Sequence, residues 1–211
     1  IIGLNPDKIW DINNSNIIER FEGRKKIIKE KPLKFLNNLI YKFNSKIPKN
    51  IPKMAAMLVG YFSYDVIRYI EKIPNKCLDD LKIPDVRMIR PKNLIIYDNL
   101  KKKIYFIENI YAETKIKNYF EKYQSILRSF EIYEDYCKIK LPIKFTYQKN
   151  RNRIKSNISK NQFKNYVKKA KEYIAKGDIF QVVLSQRFER KINKTPLEIY
   201  NHLRLSNPSP F

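Results

Sequence analysis

Apolar and polar positions along the chain predict an ordered series of short strands and amphipathic helices. Residues 1–6 and 8–12 read as two short strands around a turn at Asn5, Pro6 and Asp7. A helix opens at Pro32 and carries Leu33, Leu36, Leu39, Ile40 and Phe43 on one stripe. Proline suits that first position because its missing N–H would have no partner there anyway. Residues 54–62 form an apolar run containing Gly60, which predicts a buried strand where another backbone or a ligand comes close. Asp65 then stands where it can cap a short helix that ends at Pro74.

Further on, residues 94–97 and 104–110 read as two strands joined by a polar turn with Asp98, Asn99 and three lysines. Ile116, Tyr119, Phe120, Tyr123, Ile126, Leu127 and Phe130 keep helical spacing, so this helix is expected to lay one apolar face on a sheet. Over residues 133–156 the pattern dissolves into basic and polar residues around Pro142, which predicts a linker. Order returns with a capping box at Ser159 and Gln162. The helix it opens presents Phe163, Tyr166, Val167, Ala170, Tyr173 and Ile174 on one face and stops at Gly177, a residue suited to the left-handed position after a helix. Thr195, Pro196 and Glu198 repeat the start signal for a helix that runs to about Leu205 and halts before Asn207 and Pro208.

Between those helices lies GDIFQVVLSQRFER, whose alternation predicts a strand over residues 179–188. Phe180, Val182, Leu184, Gln186 and Phe188 form the side expected to face a core. Ile179, Gln181, Val183, Ser185 and Arg187 form the other, and its polar groups need water, a polar network or a ligand. Hairpins with flanking helices and no strand-helix-strand rhythm predict an α+β protein with a mostly antiparallel sheet. The expected organisation is a domain over residues 1–135, a linker over 136–156 and the beginning of a second domain over 157–211.

Size and composition fit such a protein: 211 residues, 43% of them hydrophobic, are enough for a real core. The chain opens without methionine and stops directly after a helix-like segment, so it reads as a fragment. A formal charge of +23, from 44 basic and 21 acidic residues, raises a nucleic-acid reading, since clustered cations release counterions from phosphate backbones. The residues in excess, Lys, Ile, Asn, Tyr and Phe, all have A/T-rich codons, and a base-biased genome accounts for the charge without a polyanionic partner. Cys77 and Cys137 are isolated, with no metal-ligand or disulfide spacing, as in reduced cytoplasmic proteins. The sequence contains no membrane-spanning apolar run and no signal-peptide pattern.

GDIFQVVLSQRF, the preceding SNISKNQFKNYVKKAKEYI and the following LRLSNPSPF resemble the start of the chorismate-utilising domain of anthranilate synthase component I. GYFSYDVIRYIE, the PDV at residues 84–86, IIYDN at 95–99 and IIGLNP resemble its N-terminal domain, in the same order. The resemblance covers nearly the whole chain. It implies a two-sheet sandwich in the parent and an enzyme that aminates chorismate with ammonia and eliminates pyruvate to give anthranilate, for tryptophan synthesis. It also implies Mg²⁺, with ligands beyond Phe211, and a glutamine amidotransferase subunit that supplies the ammonia. A divalent cation suits a dicarboxylate that loses a hydroxyl group.

By the same resemblance Gln181 holds a position where water-adding relatives carry a lysine general base. Ammonia needs no such base, so a neutral amide there favours amination over hydration and positions the substrate or nucleophile. Asn207, Pro208, Ser209, Pro210 and Phe211 match a segment that helps form an inhibitory L-tryptophan site in the family. The other half of that site, a Leu-Leu-Glu-Ser motif, is expected upstream of Ile1, and tyrosine is common where this chain has Phe211. Ser185 and Arg187 are read as structural, His202 as a surface or packing residue, and Asp65 with Arg68 as a local cap or ion pair. The alternatives are the folate-branch enzyme aminodeoxychorismate synthase component I and a non-catalytic nucleic-acid-binding protein.

Overall fold

The computed structural model describes residues 1–14, 16–43, 46–138 and 154–209. The chain divides into two compact units, Ile1–Leu141 and Pro142–Phe211. As expected, the architecture is α+β with antiparallel strand pairing throughout the described residues.

The first unit is built on β1 (Ile2–Asn13), β2 (Asn16–Phe21), β3 (Arg24–Ile28), β4 (Val59–Phe62), β5 (Val86–Asp98) and β6 (Lys103–Glu108). Their order is β3-β2-β1-β5-β4, and β6 pairs with β5 beyond β4. Thirteen-residue β5 therefore carries two short neighbours in succession, β4 against Val86–Ile89 and β6 against Asn93–Asp98.

The strands expected over residues 1–6 and 8–12 are one strand, because the predicted turn is a bulge: Pro6 pairs with Pro91 and Lys8 with Arg90, leaving Asp7 as the extra residue. A bulge tolerates proline's missing N–H, and Asp7 uses it to reach the Arg90 guanidinium. The β2–β3 hairpin was not anticipated from the sequence. Its turn places Glu22 at φ 48° and Gly23 at φ 75°, the left-handed pair that matches the twist of a two-residue hairpin.

Trp10, Ile12, Ile17, Val86, Phe35 and Leu36 form the core of this unit. The last two come from α1 (Pro32–Lys42), which begins at Pro32 as predicted. Its buried side is rotated from the expected stripe: Phe35 and Leu36 face the sheet, while Ile40 is 61% exposed. The 54–62 run is also not a buried strand. Lys53–Ala55 is a 3₁₀ turn, and β4 occupies the sheet edge with Val59 and Phe62 exposed. Gly60 does meet a close backbone approach, since a Cβ there would stand 1.9 Å from the Arg87 carbonyl oxygen.

Asp65 caps no helix. It sits inside a 3₁₀ stretch, Tyr64–Tyr69, and accepts from Arg68 Nε at 2.8 Å. Arg68 also donates to the carbonyls of Ile73 and Pro74, which secures the chain that follows.

Helix α2 (Tyr119–Lys138) meets the sheet through Phe130 and Tyr133, whose rings lie 6.0 and 6.4 Å from that of Phe106 on β6. Lys122 pairs with Glu108 on the same side, while Tyr119, Phe120 and Tyr123 of the predicted face are exposed. Polar anchors at Lys122 and at Tyr133, whose hydroxyl accepts from Asn5 at 3.3 Å, set this rotation. The helix also continues five residues past Tyr133, where a linker was expected, supported by the Glu134–Lys138 ion pair one turn apart. Of the predicted linker, residues 139–153 lie outside the described residues.

The second unit contains β7 (Lys155–Ser156), α3 (Lys160–Ala175), β8 (Phe188–Glu189) and α4 (Pro196–Ser206). Both predicted capping boxes form, at Ser159 with Gln162 and at Thr195 with Glu198. Gly177, at φ 80°, closes α3: its N–H reaches Ile174 O at 3.0 Å and the Asp178 N–H reaches Tyr173 O at 3.0 Å. The strand expected over 179–188 is a strand only at its end, where β8 pairs with β7. Residues 179–187 join no sheet, and Phe180, predicted to face a core, is 94% exposed. Alternation orders side chains along a strand, but a strand also needs a ladder partner for its backbone groups.

Candidate functional site

The side chains singled out in the second unit do not form an enclosed site among the described residues. Gln181 is exposed on the extended stretch after Gly177. Asn207 ends α4, donating its N–H to Leu203 O at 2.8 Å, and Pro208 and Ser209 follow it exposed. Pro210 and Phe211 lie outside the described residues. Arg187 pairs with Glu189 at 3.1 Å and its backbone N–H donates to Asn157 Oδ1 at 2.9 Å. His202 is exposed on α4.

Among the described residues, no three His, Cys, Asp or Glu side chains gather in a way that could hold a metal ion. The ligand set for the Mg²⁺ implied by the resemblance is not found in them. No described helix is long and apolar enough to cross a membrane.

A concave site does form in the first unit, in front of Trp10. The cleft has a volume of about 540 Å³ and lies between the sheet, α1 and the loop after β6. Its wall is apolar where Trp10 and Phe35 are buried, and its rim carries Lys8, Arg90 and Glu113. The Trp10 indole Nε1 donates to Glu19 Oε2 at 2.7 Å, which orients the ring.

The geometry of the rim follows from the β1 bulge. Displacement of Asp7 lets both of its oxygens meet Arg90, from Nε at 2.9 Å and Nη2 at 2.6 Å. Arg90 is also stacked on Tyr111, its guanidinium carbon 3.6 Å from the ring centroid. Burial raises the Tyr111 phenol to about 12 even though Arg90 acts in the opposite direction. The remaining Arg90 nitrogen, Nη1, stands 3.4 Å from Glu113 Oε1, which also accepts from Lys8 Nζ at 2.8 Å. That Lys8 bond is the main cause holding the Glu113 carboxyl at about 2.

A second charged cluster occupies the opposite face of the sheet. Asp11 is buried and accepts from Arg87 at 2.6 and 2.9 Å as well as from Arg20. Burial pushes its carboxyl up, but the two arginines outweigh that and hold it below the ordinary carboxylate value. Both arginines are consumed by a structural carboxylate, so this cluster reads as a cross-strand tie.

Sequence reasoning missed the Trp10 cleft, although one signal was present. Val86, Met88 and Arg90 share a face of β5, so the alternation places an arginine in line with core residues. A cation so placed needs an anion, and Asp7 in the bulge and Glu113 in a loop provide it across 83 and 23 residues of sequence.

The model for the family described as chorismate binding enzyme matches residues 5–211. Anthranilate synthase component 1 of Acetivibrio thermocellus is 36% identical over 218 residues, covering all of this chain and 44% of the relative. The protein of the same name from Aquifex aeolicus is 35% identical over 187 residues, covering 85% of this chain and 36% of the relative. Among solved structures, anthranilate synthase component I from Streptococcus pneumoniae TIGR4 superposes with a TM-score of 0.78 at 25% identity, covering all of this chain and 46% of that one. The chain thus spans less than half the length of these relatives.

Proposed function

The chain belongs to the chorismate-binding enzyme family, and from that premise we propose that it is the N-terminal part of an anthranilate synthase component I. The parent would convert chorismate and ammonia to anthranilate and pyruvate in the cytoplasm. The observation that carries this reading is the combination of 36% identity across the entire chain with motifs from both predicted domains in one order. The word component in the relatives' names supports assembly with a second subunit, proposed to be the glutamine amidotransferase that delivers ammonia.

Gln181 supports amination over hydration by its chemistry. Attack by water on a ring carbon needs a base to take a proton, whereas uncharged ammonia is a nucleophile as delivered. A carboxamide can orient either reactant by hydrogen bonds and takes no proton. In the parent, pairing of residues 179–187 into a sheet would turn alternate side chains to one face and bring Gln181 to the substrate. Residues 207–211 are proposed as one wall of an L-tryptophan effector site, and the domains as 1–135 and 157–211 about a linker.

The test uses the complete parent chain with chorismate, Mg²⁺ and ammonium. Anthranilate fluorescence is expected, without isochorismate. Formation of isochorismate, or of an aminated product that retains its pyruvyl group, would overturn the assignment. The second of these products is the outcome expected of the folate-branch alternative.

A further inference from the structure

We propose that the cleft in front of Trp10 binds a small carboxylate with an apolar body, and that Glu113 occupies its anion slot until such a ligand displaces it. Four charged groups interlock beside the cleft and balance, Lys8 and Arg90 against Asp7 and Glu113, while Glu19, Lys26, Glu30 and Lys42 also line it in equal numbers of each sign. Their attachment differs. Asp7 sits on β1 and holds Arg90 through two parallel bonds, the geometry that fixes a guanidinium most firmly. Glu113 comes from the loop between β6 and α2 and offers a single oxygen to both cations.

Exposure shows which partner can leave. The side chains of Lys8 and Arg90 are 12% and 7% exposed, while that of Glu113 is 46% exposed. Swinging Glu113 into water costs its carboxylate little, but it would leave one nearly buried cation uncompensated, a state that is expensive in a low-dielectric surrounding. A ligand carboxylate arriving as Glu113 leaves restores the balance. Its apolar body would lie along Trp10, Phe35 and Leu39, within a volume of about 540 Å³ that suits a small organic acid. The formal charge of +23 favours the approach of an anion. Glu113 thus reads as an internal stand-in for the ligand's carboxylate.

The chain's single tryptophan is Trp10, so occupancy of the cleft can be read directly from its emission. The experiment titrates the 211-residue chain at neutral pH and constant ionic strength with benzoate and, separately, with its uncharged analogue benzamide. Benzoate is expected to change Trp10 emission saturably and to bind about tenfold more tightly than benzamide, the ratio that one charge-assisted hydrogen bond supplies. Glu113→Gln, which removes the internal competitor, should bind benzoate about tenfold more tightly than the unaltered chain. Circular dichroism checks that this variant folds, and if it does not, the two probes on the unaltered chain decide the matter. No saturable change with benzoate, equal affinity for benzamide, or a folded Glu113→Gln chain with no gain would each overturn the proposal.

Discussion

Tyr69 donates its phenolic hydrogen to Asp85 Oδ2 at 2.5 Å, joining the end of a 3₁₀ stretch to the residue just before β5. The same oxygen accepts the Asn14 N–H at 3.0 Å, and the Asp85 carbonyl accepts the Ser63 N–H at 2.7 Å. GYFSYDVIRY and PDV, separate motifs in the sequence, are therefore two halves of one clasp. Burial and the Asp85 bond both raise the Tyr69 phenol, which keeps it protonated as a donor. Asp85→Ala leaves a partly buried hydroxyl and a backbone N–H without their acceptor. It should destabilise the first unit by about 1–3 kcal/mol, and Tyr69→Phe by about 1 kcal/mol. Urea unfolding measures both, and unchanged midpoints would mean that the clasp contributes nothing.

Gly60 lets β4 lie against β5. Ala at this position would place its Cβ 1.9 Å from the Arg87 carbonyl oxygen, a backbone atom that cannot move without breaking the ladder. Gly60→Ala is expected to free Val59–Phe62 from the sheet edge while the β1–β5 pairing persists. Hydrogen exchange should then accelerate over those four residues and over the amides of Val86–Ile89 that bond to them, and not elsewhere in the sheet. Unchanged protection in the variant would contradict the close approach.

The pH dependence of stability has a defined sign. Glu113 is held at about 2 in the folded chain, below its ordinary value of 4.5, chiefly by the Lys8 hydrogen bond. A folded-state value below the unfolded one means that the stabilisation is fully present above pH 4.5 and drains away as the pH falls toward 2. Asp11 and Glu108, whose carboxyls are also lowered, act in the same direction. Glu113→Gln should flatten part of this acid dependence in unfolding experiments at several pH values. A variant with the same slope as the unaltered chain would show that the Lys8–Glu113 contact is not maintained.

In the complete parent, Gln181→Lys should lower the rate of anthranilate formation by at least about tenfold, because an ammonium in place of the amide changes both charge and hydrogen-bond geometry at the proposed substrate face. Steady-state kinetics with ammonium as nucleophile measures the effect. Unaltered kcat and KM would remove Gln181 from the site.

Local signals were legible where the chemistry is local. The capping boxes at Ser159 and Thr195, the stop at Gly177 and the opening of α1 at Pro32 each depend on residues within one or two turns, and each forms as read. Readings that assigned a partner were less secure. The stripes on α1 and α2 had the right period, yet the faces that pack are turned toward Phe35 in one and, beyond the predicted Phe130, toward Tyr133 in the other. The β2–β3 hairpin escaped notice because its alternation runs through lysine and arginine, and only pairing with β1 gives Ile17 a core to enter.

By itself the sequence determined the α+β class, the family resemblance, the start of α1 and the capped ends of α3 and α4, since capping, turn chemistry and periodicity are set by neighbours along the chain. Tertiary structure alone decided that the turn at Asp7 is a bulge, that the backbone approaching Gly60 is the one at the Arg87 carbonyl, and that Lys8, Arg90 and Glu113 meet beside Trp10. Ion pairs across a sheet depend on strand register, and register is chosen by the burial of side chains far apart in sequence. Residues 179–187 make the same point: their alternation specifies which side chains share a face, while the strand itself requires a neighbour to bond its backbone.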